Sequence, residues 1–232
     1  MTAAERPGRL LASGRWSDIY ELDAARVLRR YRDAAGMPPW EAAVMRLARA
    51  GGVPVPEVLD VDGLDMVLER VHGPTMLEDL ARRPWRLRLH ARTLVELHRL
   101  VHRVPAPTEL PAPFGAGGSL LHLDLHPANV VISGKGPVLL DWQGAVRGPA
   151  AADLAQTYLL LVTSRIPGSP LERTVAGVGQ SLFAAMFRAA AGPAAVDSQL
   201  PAVARRRLSD PVLLPQEALR IRRLLSSAGR PG

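Results

Sequence analysis

Ser17–Leu22 carries Ile19 and Tyr20 in a short run, Asp23-Ala24-Ala25 reads as a turn, and apolar and polar residues alternate over Val27–Tyr31. That pattern predicts two strands joined by a turn, with another short strand starting at Leu10. In the second run, Val27, Arg29 and Tyr31 fall on one face and Leu28 and Arg30 on the other. Pro38-Pro39 then opens a helix over Trp40–Ala50, and Gly51-Gly52 stops it. Val58–Val61 and Asp65–Val71 read as two more strands around the turn signal Asp62-Gly63. Residues 10–71 therefore read as three strands, a helix and two strands.

Past His72-Gly73-Pro74 the period changes from two to that of a helix. Thr75 is a good N-cap for a short helix through Arg82. A long helix follows over Pro84–Val104, with Leu87, Leu94, Leu97 and Val101 near helical spacing. Residues 105–119 are rich in Pro and Gly and read as a loop. Leu120–Leu125, Val130–Ser133 and Val138–Asp141 are short apolar segments, the last two joined by a turn at Gly134-Lys135-Gly136. Ala150–Thr163 and Leu171–Ala190 read as buried helices, and Pro215–Ala228 as a basic amphipathic one. The expected fold class is α+β, with a small antiparallel sheet lobe carrying one helix and a larger, mainly helical lobe. The expected boundaries are a tail at 1–9, the sheet lobe at 10–71, a linker at 72–74 and the helical lobe at 75–232.

Composition narrows the function classes. At 47% apolar and 22% charged residues the 232-residue chain is globular, not disordered. Aromatics are only 4%, so Leu, Val and Ala must build the core. The absence of Cys excludes a disulfide scaffold, a thiol nucleophile and a cysteine zinc site. No apolar run approaches the ~20 residues of a membrane span, and the N-terminus lacks the apolar stretch of a secretory signal. The expectation is a soluble cytoplasmic protein with no membrane partner. A net charge of +7 raises the prior for an anionic partner. Arg205-Arg206-Arg207 and Arg220, Arg222 and Arg223 carry much of it, but no aromatics interleave there to stack bases, so nucleic acid is disfavoured.

The most informative stretch is His122-Leu-Asp-Leu-His-Pro-Ala-Asn129, followed by Val138-Leu-Leu-Asp141-Trp142. Asn129, the only asparagine, lies five residues after Asp124 and twelve before Asp141. The intervening segment reads as a tight hairpin, which sets its two ends side by side. Two oxygen ligands beside a free carboxylate suit Mg²⁺ with phosphate completing the octahedron. Phosphoryl transfer asks for that metal and for a carboxylate to orient a hydroxyl and take its proton. Asp124 is the candidate base, and Asn129 and Asp141 the candidate metal ligands. A zinc site is the rival. If 122–126 were a strand, His122, Asp124 and His126 would share a face, but Pro127 follows at once and no His lies downstream. His98 and His102 stand at i, i+4 on a helix with no carboxylate in register, and read as half-buried helix residues.

HLDLHPANVVIS resembles the H-x-D-x-H-x-x-N loop of the aminoglycoside phosphotransferase and choline kinase-like family, relatives of protein kinases, and LLDW resembles its metal-binding Asp segment. The resemblance implies a kinase-like two-lobe fold, ATP and Mg²⁺ as cofactors, and transfer of the γ-phosphoryl group to a small-molecule hydroxyl. It implies that Arg29 stands where the family has a phosphate-contacting lysine, with Glu41 as its helix partner. It implies that Ser13, Gly14 and Ser17 approach phosphate in a loose loop, and that MVLERVHGPTM is the hinge, where adenine meets the backbone of Arg70 and Val71. His122 and His126 would support the loop, and Asp153 would hold it. An arginine is forked and bulkier than lysine, so a nucleotide-binding pseudoenzyme is the alternative, and a basic anion- or nucleic-acid-binding module another. From Trp142 onward eleven arginines face five acidic residues, and only Tyr158, Phe183 and Phe187 are aromatic after it. That balance disfavours a polycationic aminoglycoside and an aromatic choline cage, and favours a neutral or anionic hydroxyl compound.

Overall fold

A computed structural model describes residues 7–164, 170–211 and 213–228. Five antiparallel strands open the chain: β1 (Leu10–Ser13), β2 (Ser17–Glu21), β3 (Arg26–Tyr31), β4 (Val58–Asp62) and β5 (Asp65–Glu69), in the order β1-β2-β3-β5-β4. β3 is central, and its register sets Arg29 opposite Ile19 of β2 and Met66 of β5. The expected tail is partly structured. Gly8 N–H donates to Glu21 O at 3.0 Å and Glu21 N–H to Arg9 O at 2.9 Å, which extends the sheet edge. Residues 1–6 of that tail lie outside the described residues.

α1 (Glu41–Ala50) buries Glu41, Val44, Met45 and Ala48. These positions follow i, i+3, i+4 and i+7, so Glu41 sits on the apolar stripe that faces the sheet. This spacing puts a carboxylate in the interior, where it needs a cation. The sheet joins the helices through Gly73 at φ +143, where a Cβ would stand 2.3 Å from Ile132 O. Ile132 N–H donates to Pro74 O at 2.8 Å, so the linker is tied to the hairpin described next.

α2 (Met76–Arg82) starts in a full capping box between Thr75 and Glu78. α3 (Leu87–His102) follows a 3₁₀ turn at Pro84–Arg86 and buries Leu94, Leu97, His98 and Val101. Four short strands come next: β6 (Ser119–Leu121), β7 (Val130–Ser133), β8 (Gly136–Leu139) and β9 (Val146–Gly148), paired as β6-β9 and β7-β8. α4 (Ala150–Thr163), α5 (Pro170–Ala191), α6 (Pro193–Leu208) and α7 (Pro215–Ala228) complete the fold. One buried cluster runs from Met45 and Met66 through Leu94 and Trp142 to Phe187, and a second joins Leu159, Val203 and Ile221 of α4, α6 and α7.

α6 was not expected. Pro193 opens it and Pro201 interrupts its hydrogen-bond ladder, two signals that read locally as breaks. Its buried residues, Val196, Leu200, Val203 and Ala204, nevertheless keep helical spacing, and packing against α4 outweighs the cost of the proline.

Candidate active site

After β6 the chain does not continue as a strand. Leu123 takes φ 62, in the left-handed region, and the 3₁₀ turn Pro127–Asn129 leads into β7. His122, Asp124 and His126 therefore do not share a strand face, and the premise of the zinc reading fails. His122 Nδ1 accepts from Asp124 N–H at 3.2 Å, its Nε2 lies 3.0 Å from Leu140 O, and its ring packs tilted against Trp142 with the centroids 4.7 Å apart. Burial lowers its pKa to about 4, so it is the neutral ring, donating through Nε2. His126 Nδ1 accepts from Ala128 N–H at 3.2 Å. Both histidines brace the loop.

Asp153, near the start of α4, holds the same loop from below. Its Oδ2 accepts from His122 N–H at 3.0 Å and its Oδ1 from Leu123 N–H at 2.7 Å. His102 Nε2 lies 3.0 Å from Oδ2 and His98 Nδ1 3.3 Å. Burial alone would raise this carboxyl, but the two imidazoles outweigh it and hold it well below the usual carboxylate range. His98 and His102 thus have a carboxylate partner from a distant helix. The three could hold a metal ion, but two loop N–H groups already occupy the carboxylate, so the cluster reads as an anchor.

The hairpin acts as expected. Val130 pairs with Leu139, Leu140 N–H donates to Asn129 O at 2.8 Å, and Asn129 and Asp141 meet at its mouth. Asn129 Nδ2 donates to both the backbone O and Oδ2 of Asp124, each at 2.9 Å. Its donors are thereby used, and Oδ1 is the atom left for a cation. Asp141 takes φ 60, a costly backbone for a non-glycine residue that orients its carboxylate. The Asp124 pKa is raised to about 7, first by desolvation and then by the charge of Asp141, against the pull of Asn129 and Arg207.

Arg29 lies at the centre, almost fully buried. Its Nε donates to Ser17 Oγ at 3.0 Å, Nη1 to Glu41 Oε1 at 2.8 Å and Nη2 to Asp141 Oδ1 at 3.0 Å. The Tyr31 hydroxyl donates to the other Glu41 oxygen. Burial pushes the Glu41 carboxyl up, and Arg29 and Tyr31 work against that shift. The pairing with Glu41 follows the sequence expectation; the bonds to Ser17 and Asp141 were not legible there. Three hydrogen bonds leave two of five guanidinium N–H donors unspent.

Two cavities meet at this point. The larger, about 550 Å³, is walled by Leu11, Ile19, Val27, Met45 and Leu68, and its polar rim holds Ser13, Gly14, Ser17, Arg29, Arg70, Val71, Asn129 and Asp141. The Arg70 backbone N–H donates to Ala25 O at 2.7 Å. Val71 N–H and C=O make no hydrogen bond among the described residues. The smaller cavity, about 380 Å³, is lined by Asp124, Asp141, Arg15, Trp16, Gln143, Gln156 and Arg207. Asp141 borders both. Glu41 borders neither and acts through Arg29. Arg15, Trp16 and Arg207 were absent from the sequence-based site. For Arg207 a signal existed: it stands at helical spacing from Val196, Leu200 and Val203, on the buried stripe of α6.

The family model described as "Phosphotransferase enzyme family" matches residues 8–117 and 106–192. No curated protein matches the sequence. The fold is similar to that of an aminoglycoside phosphotransferase, APH(4)-Ia, solved as a thermostable mutant with AMP-PNP and hygromycin B: TM-score 0.66, 13% identity, covering 97% of this chain and 94% of that one. An APH(2″)-IIa structure with streptomycin and ATP gives TM-score 0.64 at 11% identity, over 94% and 90% of the two chains. A choline/ethanolamine kinase family protein from Mesorhizobium loti gives 0.55 at 18% identity, over 99% and 90%. With most of its length matched by the family model, and with this two-part kinase-like fold, the chain belongs to the phosphotransferase enzyme family.

Proposed function

We propose that this phosphotransferase moves the γ-phosphoryl group of ATP to a hydroxyl of a small molecule, with Asp124 as the base. The observation that carries this reading is the shared border. Asp141 lines both cavities, Asn129 only the larger and Asp124 only the smaller, as in-line transfer between two bound reactants requires. In this reading residues 10–71 cradle the nucleotide, 72–74 are the hinge and 75–232 supply the loop and the acceptor site. The adenine lies between the apolar walls and meets the open backbone groups of Val71, and the phosphates run toward Ser13, Gly14, Ser17 and Arg29. APH(4)-Ia and APH(2″)-IIa were solved with AMP-PNP and ATP respectively, which supports ATP as donor.

The donor set fits Mg²⁺: an amide oxygen and a carboxylate beside the phosphate rim. Bound between Asn129 Oδ1 and Asp141, Mg²⁺ would neutralise the phosphate charge. Asp124 accepts the proton of the acceptor hydroxyl while the new P–O bond forms and the bond from γ-phosphorus to the β,γ-bridging oxygen breaks, releasing ADP. Asn129 Nδ2 fixes the Asp124 carboxylate, and Asp153 fixes the loop below it. Arg29 keeps Glu41 paired and offers its two unspent N–H donors to phosphate, the role a lysine fills with one ammonium.

A pseudoenzyme is the second reading, favoured by the grip of Arg29 on Asp141, a carboxylate the metal needs. Calorimetry of ATP binding separates the cases. The phosphotransferase reading expects Mg²⁺-dependent ATP binding that weakens in Asp141→Asn, and ADP release when a hydroxyl acceptor is added. Metal-independent binding without ADP release over a broad acceptor panel contradicts it. The acceptor is neutral or anionic in this account, since eleven arginines face five acidic residues from Trp142 onward.

A further inference from the structure

The smaller cavity joins the chemistry-bearing carboxylates to two cations from opposite parts of the fold. Arg15 lies in the turn between β1 and β2, and its side chain makes no hydrogen bond or ion pair among the described residues. Arg207 sits at the end of α6, on that helix's buried stripe, while its neighbours Arg205 and Arg206 differ in facing outward or onto Phe114. Arg207 Nη1 donates to Asp210 Oδ2 at 2.7 Å, and Nη2 lies 3.7 Å from Glu217 Oε2. Neither acid lines the cavity. They hold Arg207 from outside the cavity, whose wall Arg207 itself forms. Gln143, Gln156 and the half-exposed Trp16 add neutral polar groups and one flat apolar wall.

Among the described lining residues the only carboxylates are Asp124 and Asp141. Asp141 is already paired with Arg29. An amino group on the acceptor would therefore find no carboxylate that is not already committed to Arg29 or to taking the hydroxyl proton. An anionic group would find two guanidiniums, the side chain suited to carboxylate and phosphate recognition.

We propose that the acceptor carries an anionic group, a carboxylate or a phosphate ester, beside the hydroxyl that is phosphorylated, and that Arg15 and Arg207 clamp it across the smaller cavity. This inference rests on the phosphotransferase reading for the role of the cavity, but not for its charge selectivity. The sheet part carries one arm of the clamp and the helical part the other, so the bound group bridges the two parts beside Asp124.

The test uses four three-carbon probes that differ in one substituent: D-glycerate, sn-glycerol 3-phosphate, glycerol and 3-amino-1,2-propanediol. Binding is measured by calorimetry at one physiological ionic strength, with AMP-PNP and Mg²⁺ present, and ADP release is followed in parallel with Mg-ATP. A charge-assisted hydrogen bond is worth roughly ten- to a hundred-fold in affinity. At least one anionic probe should bind better than glycerol by that factor, with the amine weakest, and the stronger of the two acids identifies carboxylate or phosphate. Arg15→Gln and Arg207→Gln should each collapse the ratio of anionic to neutral affinity. Arg15 has no side-chain partner to lose among the described residues, so its variant folds even if the Arg207 variant does not. No anionic probe bound in the millimolar range, the amine bound as well as the acids, or a preference that survives Arg15→Gln would each overturn the inference. ADP release stimulated by glycerol and the amine but not by the acids overturns the clamp and leaves the phosphotransferase reading standing. Arginine-dependent acid binding without any ADP release does the reverse.

Discussion

Replacing Arg29 by Met removes the cation on which the interior of the site depends. Glu41 is fully buried, and the Arg29 side chain is only 9% exposed. The substitution deletes bonds to Ser17, Glu41 and Asp141 and leaves the buried Glu41 carboxylate with hydrogen bonds from Tyr31 and the Trp142 backbone but no cation. Breaking a buried pair by removing one partner costs about 3–5 kcal/mol. For a chain of 232 residues each kcal/mol is about 2–4 °C in Tm, so the melting point should fall by roughly 6–20 °C. The loss has a pH signature. Glu41 already has a raised pKa, and without Arg29 it rises further above its unfolded value. A raised carboxyl favours the folded state at low pH and loses that advantage as pH rises through the folded pKa. The deficit of Arg29→Met should therefore be smallest in acid and grow toward neutrality. Arg29→Lys keeps one charge for Glu41 and gives up the bonds to Ser17 and Asp141, so it should lose only about 1–3 kcal/mol and retain Mg-ATP binding. Adding Glu41→Gln to Arg29→Met should recover most of the stability, a coupling that urea unfolding of the four-member cycle measures directly. A loss below about 1 kcal/mol, or a double variant no more stable than Arg29→Met, would refute the argument that Glu41 is buried on account of Arg29.

The other perturbations act on single parts of the framework. Gly73→Ala puts a methyl 2.3 Å from Ile132 O at φ +143; it should cost at least about 1–3 kcal/mol, read as a lowered Tm. Asp153→Ala strands the N–H groups of His122 and Leu123 and should cost about 2–5 kcal/mol at neutral pH. Because the Asp153 pKa is depressed, its contribution is present above the unfolded value near 3.9 and lost as pH falls through the folded pKa, so the gap to the wild type should close in acid. Asp124 is the opposite case. Its pKa is raised to about 7, so wild-type stability declines as pH rises through that value. Asp124→Asn should therefore gain in Tm relative to the wild type above pH 7 while losing phosphoryl transfer, a trade that thermal scans at several pH values reveal.

Much of the framework was legible because it is local. Alternation placed β3, short apolar runs beside turn signals placed β2 and β5, and the hairpin length brought Asn129 to Asp141. The pairing of Arg29 with Glu41 came from the family resemblance, and an inward-facing strand cation that needs a partner fits it. What was not legible depends on contacts distant in sequence. Nothing local says that Asp153 will rise from α4 to meet His98 and His102, or that Arg29 will reach past Glu41 to Asp141. The α6 helix was hidden by Pro193 and Pro201, and Arg207 was hidden inside three consecutive arginines that read as a solvated face. Only the stripe of Val196, Leu200 and Val203, once recognised, separates Arg207 from its neighbours. The left-handed backbone at Leu123 and Asp141 has no glycine to announce it; tertiary contacts impose it.

The most direct test of the central claim is acceptor-dependent ADP release from Mg-ATP by the wild type and by Asp124→Asn, across small hydroxyl compounds that include the acids named above. The account predicts release stimulated by at least one compound in the wild type, and loss of that stimulation in Asp124→Asn with Mg-ATP binding intact. Undiminished stimulation in Asp124→Asn would contradict the assignment of the base and, with it, the mechanism drawn from these two cavities.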